Sequence, residues 1–106
     1  MVYYFFAEDD FLFVDLYIGL GSATDSQKML DDLLEHRKTL EKEIGESIIV
    51  QKEHPDDSKA CRIIIKRKWT SKNESTSSPN SIAERRWGIE KLIKFKNAFS
   101  PLLSGQ

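Results

Sequence analysis

The chain has 106 residues, 40% apolar and 31% charged, with one cysteine and a formal net charge of −1. That length carries one domain with a modest core, and a lone cysteine excludes an internal disulfide and a cysteine-based zinc site. The small net charge hides a split: residues 1–50 hold four Lys/Arg against eleven Asp/Glu, while residues 51–106 hold twelve against six.

Val2 to Ala7 is aromatic and strand-prone, Glu8-Asp9-Asp10 makes a turn, and Phe11 to Leu20 resumes as a strand, so the start of the chain reads as a β-hairpin. The same acidic triplet interrupts the N-terminal apolar residues, which argues against a signal peptide, and no apolar run approaches the ~20 residues needed to cross a membrane. A cytoplasmic protein without membrane contact is the expectation. In the second strand Leu12, Val14, Leu16 and Ile18 point one way, and Phe11, Phe13, Asp15 and Tyr17 the other. The aliphatic set should meet helices, leaving an aromatic outer face.

Gly19 to Ala23 connects to a helix predicted over Thr24 to Ile44. Met29, Leu30, Leu33, Leu34, Leu40 and Ile44 form its apolar arc, Thr24 and Gln27 a capping box, and Gly45 a left-handed stop. Arg37 falls inside that arc with Glu41 four residues on, a structural pair at the core margin. Ser47 to Lys52 is a third strand, His54-Pro55-Asp56-Asp57 a turn, and Ala60 to Trp69 a fourth strand. There Cys61, Ile63 and Ile65 share one face; Ala60, Arg62, Ile64, Lys66 and Lys68 share the other. The apolar neighbours of Cys61 point to a buried thiol.

Thr70 to Asn80 reads as a polar loop. Ser81 and Glu84 make a second capping box, opening a helix to about Phe99 that Pro101 ends. Its core arc is read as Ile82, Ile89, Leu92, Ile93, Phe95 and Phe99, which turns Trp87 away from the core, with Lys91 and Lys94 on its side. The fold class is α+β: a two-layer ββαββα domain, an antiparallel four-stranded sheet with two helices on one face.

Several of these segments carry a resemblance. Phe13 to Ile18, Leu40 to Glu46, Arg62-Ile63, Trp87, and Lys94-Phe95-Lys96 leading to Phe99 and Pro101 together resemble the prokaryotic family catalogued as domain of unknown function 4268. Family members often carry this domain after an N-terminal helical stretch and beside a nuclease-like domain. The resemblance therefore implies an accessory role near nucleic acid. These 106 residues include neither flanking feature, and Val50 stands where the family pattern usually has a tryptophan.

Catalytic patterns are sparse. A restriction-type metal site needs an Asp followed by Glu-x-Lys, and strand three offers only Gln51-Lys52-Glu53. Gly19-Leu20-Gly21 lacks the spacing and lysine of a phosphate loop. His36 and His54 share no ligand spacing with Cys61. No catalytic residue, metal, cofactor or small-molecule ligand is expected. Two surfaces remain. On the outer sheet face Phe13 and Tyr17 beside Arg62, Lys66 and Lys68 suit a single-stranded nucleic acid, because bases stack and phosphates pair. Alternatively that face is covered by another domain or a second copy of the chain. A partner surface is read at Trp87, Lys91 and Lys94, and at Phe11; the alternative for Trp87 is packing on the chain's own loop at 70–80. The expected function is a non-catalytic binding module beside a nucleic-acid-processing partner; the alternative is a structural oligomerisation or protein-docking domain.

Overall fold

The computed structural model describes residues 2–68 and 82–104, with side chains given for 2–68 and 85–103. The expected loop at 70–80, Trp69 and the Ser81 cap lie outside the described residues. Two strands, β1 (Val2–Glu8) and β2 (Phe11–Gly19), form the expected hairpin. Its loop is Asp9-Asp10, and Asp9 takes φ 54°, a left-handed conformation that Asp tolerates better than most residues. Helices α1 (Ala23–Leu34) and α2 (Arg37–Ile44) follow, then β3 (Ile49–Gln51), β4 (Ala60–Lys68) and α3 (Ile82–Ser104). The sheet has the order β1-β2-β4-β3, with every neighbouring pair antiparallel.

Alternation along the two central strands settles the layers. Leu12, Val14, Leu16 and Ile18 of β2 and Cys61, Ile63 and Ile65 of β4 are buried. They share a core with Leu30 and Leu33 of α1, Leu40 and Ile44 of α2, and Phe95 and Phe99 of α3. Burying each such side chain contributes about 1.5–3 kcal/mol. α1 lies on β2 and β4, α3 on β1 and β2, and α2 packs against α3. Cys61 is wholly buried, its thiol donating to the Ser26 carbonyl oxygen at 3.3 Å. Burial pushes that thiol up to about 11, so it stays protonated and inert at neutral pH.

Four expectations are corrected. The central helix is two helices, so the element order is ββααββα. At the break the His36 N–H donates to the Leu33 carbonyl and Leu40 N–H to that of His36, letting α1 and α2 follow different neighbours. The cap of α1 is Ser22, whose Oγ accepts from the Asp25 N–H at 3.1 Å, rather than Thr24. Gly45 closes α2 as expected, at φ 84°. α3 runs through Pro101 to Ser104, because a proline in the last turn removes only one backbone hydrogen bond.

The fourth correction is the phase of α3. Trp87 is buried against the core and packs edge-on to Phe5, while Ile89 and Ile93 are more than half exposed. Gly88 lets this happen: a Cβ there would collide with the Phe5 ring, so only glycine admits that ring against the helix. Lys91 turns inward as well, its ammonium donating to the Ile44 carbonyl at 2.8 Å and pairing with Glu46 at 3.2 Å. It thereby caps the carbonyl end of α2, where a cation is favoured.

Arg37 and Glu41 keep the structural role read for them. Arg37 donates to the Ile48 carbonyl at 3.0 Å, and Glu41 accepts from the Ile48 N–H at 2.9 Å. The pair thus holds the chain that enters β3 at its first buried residue.

Candidate binding site on the outer sheet face

The face of the sheet turned away from the helices is built by strand register. Across β1, β2 and β4 the outward residues fall in rows: Val2, Tyr17 and Arg62; Tyr4, Asp15 and Ile64; Phe6, Phe13 and Lys66; Glu8, Phe11 and Lys68. β3 extends the first two rows with Gln51 and Ile49. Residues directly opposite on adjacent strands sit close enough for their side chains to touch. Five aromatic rings therefore share one surface.

The two ends of this face differ in chemistry. At the Phe11 end, Phe6 and Phe13 stack across the strands with centroids 5.1 Å apart and planes at 15°. Phe11 leans against Phe13 at 6.4 Å. The Lys66 ammonium stands 4.6 Å from the centre of the Phe11 ring, a cation–π contact, and Lys68 is exposed beside it. Glu8 stands opposite Phe11 in the same row, so this end is aromatic, with two lysines against one carboxylate.

At the Tyr17 end the rings are joined by carboxylates. Tyr4 meets Tyr17 edge-on at 6.5 Å, and Tyr17 meets His54 edge-on at 5.2 Å. The turn containing His54 folds over this corner, closed by the His54–Asp57 bridge and by the Tyr17 hydroxyl donating to Asp57 at 2.8 Å. That hydrogen bond raises the Tyr17 hydroxyl, while the Lys59 N–H donating to Asp57 holds its carboxyl below the usual range.

Beneath this corner lies Asp15. It is only 2% exposed although it belongs to the outer face, because Tyr4 and Ile64 flank it across the strands. Arg62 stands 3.8 Å from Oδ2, beyond a good hydrogen bond, and its Nε is already donated to Gln51. Oδ1 of Asp15 is buried, with no hydrogen-bond partner among the described residues. Burial raises the carboxyl to about 6; the positive charge of Arg62 and the field of His54 offset part of that rise. Tyr4, Phe6, Glu8, Asp15, Tyr17, His54, Asp56 and Arg62 together line a concave pocket of about 340 Å³.

The family model described as domain of unknown function, DUF4268, matches residues 1–103. The chain belongs to this family. No curated protein and no solved structure matches it.

In this DUF4268 domain the sequence-predicted residues sort cleanly. Phe11, Phe13, Tyr17, Arg62, Lys66 and Lys68 do share one face, as alternation required. They do not form one basic surface, because Arg62 is committed to Asp15 and Gln51. Trp87 and Lys91 are packed inside the domain, a correction to their placement on an outward surface. Lys94 remains at the surface, paired with Glu90 at 3.4 Å. Sequence reasoning missed Tyr4, Phe6, His54 and the depth of Asp15. One signal for Asp15 was available: a single carboxylate in mid-strand among the outward aromatics Phe11, Phe13 and Tyr17. Among the described residues no group of three His, Cys, Asp or Glu side chains is placed to hold a metal ion. No described helix is long and apolar enough to cross a membrane.

Proposed function

We propose that the domain is a non-catalytic binding module whose outer sheet face holds single-stranded nucleic acid at its basic, aromatic end. The observation that carries this reading is Lys66 seated on Phe11 beside the stacked Phe6 and Phe13, with Lys68 exposed at the margin. Flat rings offer bases a sequence-tolerant stacking platform, and two ammonium groups at its edge can pair with successive phosphates. Family members set beside a nuclease-like domain would use such a platform to present a strand to that partner.

Two phosphate contacts give a salt slope of roughly −1.4 in log affinity against log salt for a single strand. Fluorescence anisotropy with labelled 12-mer DNA and RNA, at low and physiological salt, measures it. Lys66→Ala and Lys68→Ala should each flatten the slope by about 0.7. Absence of binding at low salt to single- or double-stranded DNA or RNA overturns the reading.

A second reading, a docking face for a second copy of the chain, is favoured by the charge pattern. Lys66 and Lys68 lie at one end of the face, and Asp56 and Asp57 line or border the pocket at the other. A two-fold axis lying in the plane of the face and perpendicular to the strands would lay each end on its opposite.

A further inference from the structure

The acidic end of the outer face carries a separate inference, independent of the nucleic-acid reading. We infer that the pocket between Tyr4, Phe6, Tyr17 and His54 is a receptor for an alkyl cation, a guanidinium or a primary ammonium group, bound against Asp15.

Three observations converge on that chemistry. First, the walls are aromatic faces and edges: Tyr4 is 47% exposed and borders the opening, and Tyr17 is fixed by Asp57 and His54. Aromatic rings around a small concavity attract cations through their quadrupoles. Second, three carboxylates, Asp15, Glu8 and Asp56, line the pocket against one permanent cation, Arg62. The lining is net negative, so a phosphate or carboxylate guest is repelled. Third, Asp15 Oδ1 is buried without a partner among the described residues. A buried acceptor left unmade is costly, and a charged donor relieves more of that cost than a neutral one.

The existing cation cannot fill the role. Arg62 sits on the other carboxylate oxygen at 3.8 Å and is tied to Gln51 through Nε. Because Oδ1 has no open surface in this conformation, a guanidinium or ammonium would have to displace the half-exposed Tyr4 ring to donate to it and complete a carboxylate shared between two cations. The pocket's volume of about 340 Å³ lies at the small end of ligand sites, which suits the head of one side chain or a small amine. The same chemistry arrives from an Arg or Lys of a partner polypeptide or from a free amine, and the test separates these.

The test titrates the ¹³C- and ¹⁵N-labelled chain at pH 7.5, above the range in which Asp15 takes up its proton. The probes are methylguanidinium, methylammonium and a capped Gly-Arg-Gly peptide, with methyl phosphate as the anionic control. Saturable shifts confined to Tyr4, Tyr17, His54 and Asp15 are expected with the cations and none with methyl phosphate. Asp15→Asn should weaken binding at least tenfold. Tyr4→Ala, at an exposed edge-strand position that tolerates truncation, should weaken it several-fold and keeps the test valid should Asp15→Asn perturb the fold. A capped peptide binding at least tenfold more tightly than methylguanidinium assigns the pocket to a partner side chain; equal or tighter binding of the free cations assigns it to a small amine. The inference is overturned if no cation saturates at tens of millimolar, or if affinity is unchanged in both variants.

Discussion

Replacing Asp15 by Asn removes a charge that the fold buries without full compensation, and it should stabilise the protein at neutral pH. Burial raises the carboxyl from 3.8 to about 6 in the folded chain. A tenfold change in proton affinity is worth about 1.4 kcal/mol, so ionised Asp15 costs the native state about 3 kcal/mol relative to its protonated form. The sign follows from proton binding. Between pH 3.8 and 6 the folded chain holds this proton more tightly than the unfolded chain, so its contribution to stability falls as pH rises through that window. Asn keeps the shape but not the charge, so the difference between Asp15→Asn and wild type should grow by about 2 kcal/mol from pH 4 to pH 7. That is a large share of the roughly 5–15 kcal/mol by which small domains are stable. Urea unfolding followed by far-ultraviolet circular dichroism at pH 4, 5, 6 and 7 measures both proteins. Repeating the pair in a His54→Gln background removes the imidazole whose charge also acts on Asp15. A difference that stays flat with pH, or that grows toward acid, would show that Arg62 fully compensates the carboxylate and would refute the reasoning.

Other outcomes follow from the packing. Gly88→Ala should lower stability by about 1–3 kcal/mol in urea unfolding, because the added methyl strikes the Phe5 ring and outweighs the helix-propensity gain of ~1 kcal/mol; a more stable variant would unseat the Phe5–α3 contact. Lys91→Met should cost about 1.5–3 kcal/mol through loss of the charged bond to the Ile44 carbonyl, whereas a lysine facing solvent would cost nothing measurable. Cys61 should react with a thiol reagent only on the timescale of unfolding, since its thiol is buried and held protonated; rapid labelling of the native chain would contradict that. Light scattering across a dilution series tests the second-copy reading: a concentration-dependent dimer lost in Phe13→Asp supports it, and a monomer at every concentration removes it.

Much of the sheet was legible in the sequence because strand alternation is a local property. Whichever way β2 turns, Leu12, Val14, Leu16 and Ile18 stay together, and the aliphatic set must take the buried side. The same rule set Phe11, Phe13 and Tyr17 opposite Lys68, Lys66 and Arg62 once β2 and β4 paired. Gly45 was readable for a similar reason, as a residue suited to the left-handed conformation that closes a helix. Family membership too was carried by the order of short segments along the chain.

The phase of α3 was not legible, because that helix carries two apolar stripes sharing Phe95 and Phe99. One runs through Ile89 and Ile93, and the other through Trp87 and the stem of Lys91. Hydropathy favours the first, and packing chose the second: Phe5 needs the gap at Gly88, and the carbonyl end of α2 needs the Lys91 ammonium. Neither requirement exists until β1 and α2 lie against α3. Asp15 makes the same point for the candidate site. Alternation assigns it to the outer face, but its burial comes from Tyr4 on one strand and Ile64 on another. The His54 turn then folds over the same corner, and residues about 40 positions apart build one pocket. Which side of the sheet a residue faces is decided within a strand; whether that side is wet is decided by what the rest of the chain lays over it.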